Sequence, residues 1–305
     1  MTLFAVPKPF TGRTAMIQRN AVRSWTLLRP RPEIVLFGDE EGMAEAAREL
    51  GVRHEPAVAR NEFGTPLLND VFARAERLAA GRLLCFLNAD MLLLPDFARA
   101  VRRARRSRFL MVGRRWEWNV EAPLDFAAAD WAERLRVRAV AEGKPGDDCA
   151  IDYFVFTRGL WREVPPFAIG RPQYDNWLIY RARALGAPVI DAGLAVMAIH
   201  QSHDYGHVRP GATRADVWAG PEAQRNRALA GGVTCAFTLR DATSRLLPNG
   251  RVVPLLGAED LRRRSWRLPV LYPRSVVRRS LLRGALALGI RAQGAVSILR
   301  TRKRK

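Results

Sequence analysis

The sequence is poor in cysteine, with only three among 305 residues. Cys85, Cys149 and Cys235 are widely spaced, and no two of them form a Cys-x-x-Cys pair. An odd number of scattered cysteines indicates neither a disulfide framework nor a closed zinc site. We therefore expect a protein of the reducing cytoplasm.

Long apolar runs are also missing from the sequence. No stretch reaches the roughly 18 uninterrupted apolar residues that a transmembrane helix needs. Residues 1–10 have neither a charged start nor a long apolar segment, so they do not resemble a secretory signal peptide. Both absences agree with a cytoplasmic location.

The positive charge of the chain is concentrated at one end. The net charge is +20, from 50 basic and 30 acidic residues. Residues 261–305 contain 14 basic residues and no acidic one, which leaves 36 basic and 30 acidic residues in the rest. Nucleic-acid binders commonly interleave aromatic and basic residues. The basic tail has only Trp266 and Tyr272 as aromatic residues, so we do not expect a nucleic-acid partner.

This basic tail, residues 261–305, allows two interpretations. On a helical wheel its apolar residues lie toward one side and several arginines toward the other, a pattern typical of helices on anionic membranes. The protein would then be peripheral to the inner face of the plasma membrane. A solvated, disordered tail is the alternative. The residues that define the wheel are Val277, Leu281, Leu288, Leu299, Arg279, Arg283 and Arg291.

Apolar runs of strand length alternate with helical periodicity over the first two thirds of the chain. Strands are predicted near residues 3–6, 33–37, 52–56 and 83–87, with a helix between each pair. This alternation predicts an α/β fold with a doubly wound, mostly parallel central sheet flanked by helices. We expect three parts: a domain over residues 1–215, a small C-terminal extension over 216–260 with a short strand at 233–239, and the basic tail.

The most informative stretch is residues 81–95. An apolar run at 83–87 suits a strand buried on both faces, and Asn88-Ala89-Asp90 follows it abruptly. Ligands of open α/β sheets bind at the carboxyl ends of the strands. Asp90 is therefore placed to face a metal ion or a sugar hydroxyl. The alternative is that Asn88 and Asp90 only begin a turn and cap the helix near Pro95.

Two other features have both a structural and a functional interpretation. Trp116 and Trp118 share one side of an extended segment, which fits either a half-buried strand or a wall that stacks on a sugar ring. Asp175 falls at a predicted helix start, where it can cap the helix or act as a base toward an incoming hydroxyl. Asp152 begins another predicted strand.

Three of the four histidines fall within eight residues, at His200, His203 and His207. Imidazole is a common metal ligand, and scattered structural histidines seldom cluster in this way. Their spacing does not match a closed zinc site, so we expect an open metal site shared with other residues.

Taken in order, these residues resemble the GT-A glycosyltransferases of the nucleotide-diphospho-sugar transferase superfamily, especially the family-2-like group. The resemblance covers about residues 1–210. The ordered series is more specific than any of its motifs alone. The matching positions are Asn61-x-x-Gly64, Asn69, Gly81 with the strand after it, Asn88-Ala89-Asp90, Phe167 and Tyr174-Asp175.

The resemblance implies a role for each matched residue. Asp90 and His200 would bind a divalent metal, Mn²⁺ or Mg²⁺, and Asp175 would be the acceptor-activating base of an inverting enzyme. Trp116, Trp118 and Asp152 are not matched positions; together with Tyr174 they are candidates for holding the acceptor. The donor-binding residues would be Pro7, Asp39, Asn61, Gly64, Asn69 and Asn88.

The implied function is metal-dependent transfer of a sugar from a nucleotide-diphosphate donor to a glycan or lipid-linked acceptor, as in polysaccharide biosynthesis. Three residues depart from the family pattern: Asn88 replaces an acid, Leu68 replaces an arginine, and Tyr174 replaces a glutamate. A degenerate, non-catalytic nucleotide-sugar or glycan-binding protein is therefore an alternative. A nucleotidyltransferase is another, although the loop after the first strand, residues 7–13, has only one glycine.

Overall fold

A computed structural model describes residues 1–104, 106–203 and 213–302. Helices and strands alternate through the first half of this part of the chain. The helices are α1 (Gly12–Thr26), α2 (Met43–Leu50), α3 (Leu68–Leu78), α4 (Pro95–Ala104), α5 (Trp131–Glu142), α6 (Tyr174–Ala184), α7 (Arg214–Ala219), α8 (Pro221–Leu229), α9 (Ala258–Leu271) and α10 (Val276–Arg302).

The strands form two sheets. They are β1 (Thr2–Ala5), β2 (Glu33–Phe37), β3 (Arg53–Glu55), β4 (Leu83–Leu87), β5 (Met91–Leu93), β6 (Leu110–Val112), β7 (Arg115–Trp118), β8 (Lys144–Pro145), β9 (Tyr153–Thr157), β10 (Val189–Asp191), β11 (Ala198–Gln201), β12 (Ser244–Leu246) and β13 (Val252–Pro254).

The larger sheet has nine strands in the order β13-β12-β10-β6-β9-β4-β1-β2-β3. Strand β9 runs antiparallel to β4 and β6, and β13 runs antiparallel to β12. The other five pairs are parallel. The predicted α/β fold with a mostly parallel central sheet is confirmed.

Successive residues of the central strands supply two different cores, because side chains alternate across a strand. In β4, Cys85 and Leu87 pack with Trp25 of α1 on one face. Leu84 and Phe86 pack into the other core, where helices α3 and α6 cover the sheet. This burial on both faces explains why the strand is an unbroken apolar run.

The smaller sheet has the order β5-β11-β7-β8. Strand β5 starts one residue after Asp90 and pairs antiparallel with β11, with Met91 opposite His200. Strand β7 pairs parallel with β11 and sets Glu117 opposite His200. The sequence did not predict β5, because three apolar residues before a helix give no strand signal of their own.

Residues 233–239 do not form the predicted strand. Residues 233–235 and 239 belong to two 3₁₀ turns, Gly232–Cys235 and Leu239–Asp241, and residues 236–238 connect these turns. Gly231 and Gly232 adopt φ angles of +75° and +73°, a left-handed conformation that breaks an extended chain. The extension contributes β12 and β13 to the edge of the large sheet, where β12 pairs with β10.

The start of the basic tail is a packed helix. Asp241 is 2% exposed. It accepts hydrogen bonds from two arginines of α9, at 2.7 Å from Arg263 Nη2 and 3.0 Å from Arg267 Nε. The salt bridges therefore tie α9 to the body of the fold. None of the helices that the structure describes is both long and apolar enough to cross a lipid bilayer.

Replacing Asp241 with Asn should destabilise the protein by about 3 kcal/mol, because two arginines of α9 lose the carboxylate that neutralises them in a buried place. Glu259→Gln is the matched control, since Glu259 pairs with Arg240 but its side chain is 80% exposed. Its effect should stay below about 1 kcal/mol. Urea unfolding of both variants measures the difference, and equal losses would contradict a structural role for Asp241.

Candidate metal centre and active site

Three possible metal ligands meet at the carboxyl edge of the large sheet. Asp90 follows β4, His200 lies in β11, and His203 lies just beyond it. Asp90 Oδ2 is 3.0 Å from His203 Nε2 and 3.7 Å from His200 Nε2. One ligand atom from each residue lies within 4.8 Å of those of the other two. The register of β5 with β11 creates this cluster from residues 110 positions apart.

The donor set fits a divalent cation. Asp90 is 9% exposed, and its Oδ1 is buried without a hydrogen-bond partner among the described residues. A buried carboxylate oxygen that lacks a partner is costly unless a cation or donor meets it. One carboxylate and two imidazoles suit Mn²⁺ better than Mg²⁺, which prefers oxygen ligands throughout.

The electrostatics keep the carboxylates of this region ionised. Burial alone would raise the pKa of Asp90, but attraction to His200 and His203 holds it below its ordinary value. The nearby imidazole of His200 and then the hydrogen bonds from Arg115 lower the pKa of Glu117 to about 2. Negative charge is therefore present at neutral pH where a metal ion would bind.

Asn88 does not face the cluster but supports it from one side. Its Nδ2 donates to Asp152 Oδ1 at 2.8 Å, and its backbone N–H donates to Asp152 O at 3.0 Å. Asp152 Oδ2 accepts from Arg115 Nη1 at 2.6 Å. Arg115 Nη2 in turn donates to Glu117 Oε1 at 2.8 Å, and Glu117 Oε2 lies 3.6 Å from His200 Nδ1. A continuous chain of polar contacts thus joins Asn88 to His200.

A cavity of about 460 Å³ opens beside the cluster. This volume lies within the usual range for a small-molecule or cofactor site. Its wall carries both polar side chains and positively charged side chains. Among the residues on the wall are Pro7, Lys8, Gly64, Asn88, Asp90, Arg115, Arg171, Tyr174, His200 and His203.

Three predicted donor-binding residues are not on this wall. Asp39 is exposed and pairs with Arg60. Asn61 holds its own loop, since its Oδ1 accepts the backbone N–H groups of Phe63 and Thr65 at 3.0 and 2.9 Å. Asn69 is half-buried in α3. The structure therefore brings together only Pro7, Gly64 and Asn88 of that predicted set.

The structure corrects the proposed tryptophan wall. The indoles do share one face of β7, but it is the face that packs against α5, opposite Arg115 and Glu117. Trp118 is 2% exposed and donates through Nε1 to Glu142, so it is not available to stack on a sugar. Trp116 donates to Ala139 O at 2.7 Å and lines a separate cleft.

Asp175 and Tyr174 begin α6 beside the cavity. The Tyr174 hydroxyl lies 3.4 Å from Asn88 Oδ1. Asp175 accepts the backbone N–H of Asn176 at 2.9 Å and is not among the described residues of the wall. Burial, with a further contribution from the charge of Asp152, raises the pKa of Asp175 to about 6. Such a carboxylate is a stronger base than an ordinary one.

Several residues of the site were not predicted from the sequence. Lys8 follows β1 at the same sheet edge as Asp90, and this position alone was a usable signal. His203 belongs to the histidine cluster but had no family match. Arg115 and Glu117 gave no signal, because their role depends on the pairing of β7 with β11. His207 lies outside the described residues.

No protein-family model matches this sequence, and no curated protein does. Several solved structures are similar to it. Mannosyltransferase PcManGT from Pyrobaculum calidifontis, in complex with GDP-Man and Mn²⁺, is 16% identical, with 75% of this chain and 74% of that chain covered and a TM-score of 0.41. Glucosyl-3-phosphoglycerate synthase from Mycobacterium tuberculosis, in complex with Mn²⁺, UDP-Glc and phosphoglyceric acid, is 14% identical, with coverages of 77% and 79% and a TM-score of 0.44.

GalNAc-T7 with UDP, GalNAc and Mn²⁺ is 15% identical to this chain. The similarity covers 76% of this chain and 48% of GalNAc-T7, with a TM-score of 0.48. These similarities concern the fold alone, and they assign neither a substrate nor a reaction to this protein.

Proposed function

We propose that this protein is a metal-dependent glycosyltransferase of the GT-A type, which moves a sugar from a nucleotide-diphosphate donor to an acceptor hydroxyl. The observation that supports this most is the cluster of Asp90, His200 and His203 at the edge of a cavity of about 460 Å³. In this cluster, Asp90 Oδ1 is buried and has no hydrogen-bond partner among the described residues. The family resemblance of the sequence points to the same site.

Each partner of the reaction has a place in this proposal. Asp90, His200 and His203 would hold Mn²⁺, which neutralises negative charge on the departing diphosphate when bound. Pro7, Gly64 and Asn88 would contact the nucleotide-sugar from the cavity wall. Holding donor and acceptor in line supplies a large part of the rate advantage of a two-substrate enzyme.

Asp175 would be the base. As the acceptor oxygen attacks the anomeric carbon and the bond from that carbon to the diphosphate oxygen breaks, the hydroxyl proton passes to the Asp175 carboxylate. Attack from the side opposite the leaving group inverts the anomeric configuration. The raised pKa of Asp175, about 6, supports this role, since the group is still charged at neutral pH but binds a proton readily.

The acceptor would be a glycan or a lipid-linked glycan, and α10 supports a membrane location at the inner face of the plasma membrane. Val277, Leu281 and Leu288 share one exposed stripe of this helix. The opposite face is partly covered, and there a Cβ on Gly289 would lie 3.0 Å from Leu261 of α9. The tail from residue 261 carries 14 basic residues and no acid, which suits an anionic lipid surface.

Calorimetry with UDP and GDP, each with and without Mn²⁺, tests the donor site. One of the two nucleotides should bind only when Mn²⁺ is present, because the cation links the cluster to the diphosphate. Asp90→Ala should abolish that binding, while Asp125→Asn, a change at an aspartate that is 65% exposed and not on the cavity wall, should leave it within about twofold. Failure of both nucleotides to bind the wild type would favour the non-catalytic alternative. Binding of a nucleoside triphosphate alone would favour a nucleotidyltransferase.

Replacing Asp175 with Asn should lower sugar transfer by roughly 10²- to 10⁴-fold, the usual contribution of a general base. The same change should raise stability at pH 8 by on the order of 2 kcal/mol and leave it unchanged near pH 4. The sign follows because a carboxyl whose pKa is higher when folded than when unfolded lowers stability as the pH rises through that range.

Unfolding at several pH values and a transfer assay give the two readouts for Asp175. Asp147→Asn is the control, since Asp147 is an exposed aspartate of a nearby loop. Its transfer rate and its pH profile of stability should match the wild type. Retained transfer in Asp175→Asn would remove Asp175 from the mechanism.

The membrane surface is tested by sedimentation with liposomes that contain or lack anionic lipid. The wild type should sediment only with anionic liposomes, and replacing Val277, Leu281 and Leu288 together with Ser should reduce the bound fraction severalfold, because the apolar stripe no longer inserts. Val137, Val140 and Leu194 replaced with Ser provide the matched control, since they are exposed apolar residues of the main body. Equal sedimentation of both triple variants would discard the membrane role of α10.

A further inference from the structure

The loop of residues 60–66 contributes to the cavity wall and is held by its own hydrogen bonds. Asn61 Oδ1 accepts the backbone N–H groups of Phe63 and Thr65 at 3.0 and 2.9 Å. The Asn61 N–H in turn donates to the Thr65 carbonyl at 3.0 Å. These bonds close the loop on both sides of Phe63, so the backbone of that residue is fixed.

Helix α8 holds the same loop from outside. Asn61 Nδ2 donates to Glu222 Oε1 at 2.6 Å, and Glu222 is 7% exposed. The other carboxylate oxygen of Glu222 accepts from Arg171 Nη2 at 2.6 Å. Arg225, three residues further along α8, pairs with Glu62 at 2.9 Å. The loop is therefore shaped before a ligand binds, which keeps the entropic cost of binding to it low.

The ring of Phe63 is not used by the fold. It is 56% exposed and belongs to none of the three apolar cores of the described residues. Among the described residues of the cavity wall, Phe63 is the only large apolar side chain that is exposed. Aromatic rings stack on flat partners through their faces. A ligand with a planar group in the cavity would find this ring in place.

The distance from the metal cluster suits the base of a nucleotide. Arg60 ties the loop to the end of β2, since its Nη1 donates to Glu40 Oε1 at 2.9 Å and to Gly64 O at 2.8 Å. In the large sheet β1 lies between β2 and β4, and Asp90 follows β4. Two strand spacings, about 10 Å, therefore separate the end of β2 from the end of β4. A ribose and a diphosphate bridge a gap of this order, so a diphosphate on the cluster sets its base beside Phe63.

We propose that Phe63 stacks on the nucleobase of the sugar donor, with its loop held in place by α8. The proposal rests on the proposed function. Every nucleobase has a flat π-face, so stacking adds affinity for UDP and GDP alike and leaves the choice between them to other contacts. It also gives the C-terminal extension a part in donor binding, since Glu222 and Arg225 fix the loop.

Calorimetry of Phe63→Ala tests the stacking. With Mn²⁺ saturating, the nucleoside diphosphate that the wild type binds should bind this variant roughly 5- to 100-fold more weakly, the usual effect of removing an aromatic ring that stacks on a base. Inorganic pyrophosphate with Mn²⁺ should bind both proteins equally, because it has no base. Phe63→Trp keeps an aromatic face and should bind the nucleotide within about threefold of the wild type.

Leu194→Ala is the matched control, since Leu194 is 54% exposed and does not lie on the wall of this cavity. It should leave the binding constants of the nucleotide and of pyrophosphate unchanged. Thermal unfolding checks that each variant folds. Phe63→Ala should keep the melting temperature of the wild type, because its ring supports none of the three cores.

The outcomes separate this proposal from the proposed function. If the wild type binds a nucleotide and Phe63→Ala binds it equally well, the stacking is overturned while the donor site stands. If Phe63→Ala weakens pyrophosphate as much as the nucleotide, the ring supports the site structurally, and the stacking is again overturned. The same holds if Phe63→Trp binds the nucleotide as weakly as Phe63→Ala does. If the wild type binds neither a nucleotide nor pyrophosphate, the proposed function fails and the stacking fails with it.

Discussion

The candidate site depends on the pairing of one three-residue strand. β5 begins directly after Asp90 and pairs antiparallel with β11, so that Met91 faces His200. Residues directly opposite each other in such a pair have Cα atoms about 5 Å apart, which sets His200 beside the Asp90 carboxylate. The parallel pairing of β11 with β7 places Glu117 opposite the same histidine. Because side chains alternate along a strand, a shift of one residue would turn His200 to the other face of the small sheet and separate the ligands.

The second constraint is that two carboxylates, those of Asp90 and Asp152, are buried near the end of β4. Asp90 and Asp152 are 9% and 8% exposed and flank the same turn after β4. Asn88 lies between them and donates to Asp152 at 2.8 Å. An aspartate at position 88 would set two negative charges at hydrogen-bond distance, and one of them would have to bind a proton or move. The amide removes this repulsion and leaves Asp90 to face a cation. Arg115 then balances Asp152 from the far side.

The features of the fold that depend on local sequence patterns were predicted from the sequence. The buried run of β4, its polar end and the alternation of helices and strands were sufficient for the α/β sheet and for the position of Asp90. The pairing of β5 with β11 joins segments more than 100 residues apart, and no local periodicity encodes it. His203 lies two residues beyond β11 and enters the site through this long-range pairing, so its role was not predicted. Trp116 and Trp118 show the same limit, since alternation places both indoles on one face but does not say which face is buried.

The three departures from the family pattern have local physical reasons, which bears on the non-catalytic alternative. Here Asn88 makes a hydrogen bond that an acid could not donate, and the Tyr174 hydroxyl lies 3.4 Å from Asn88 Oδ1. Leu68, the first residue of α3, is fully buried in the core, where an arginine would need a buried partner. The replaced positions therefore remain engaged with the cluster or the core. Asp90 also keeps a buried oxygen, Oδ1, that has no hydrogen-bond partner among the described residues, and such an oxygen is costly unless a cation or a donor meets it.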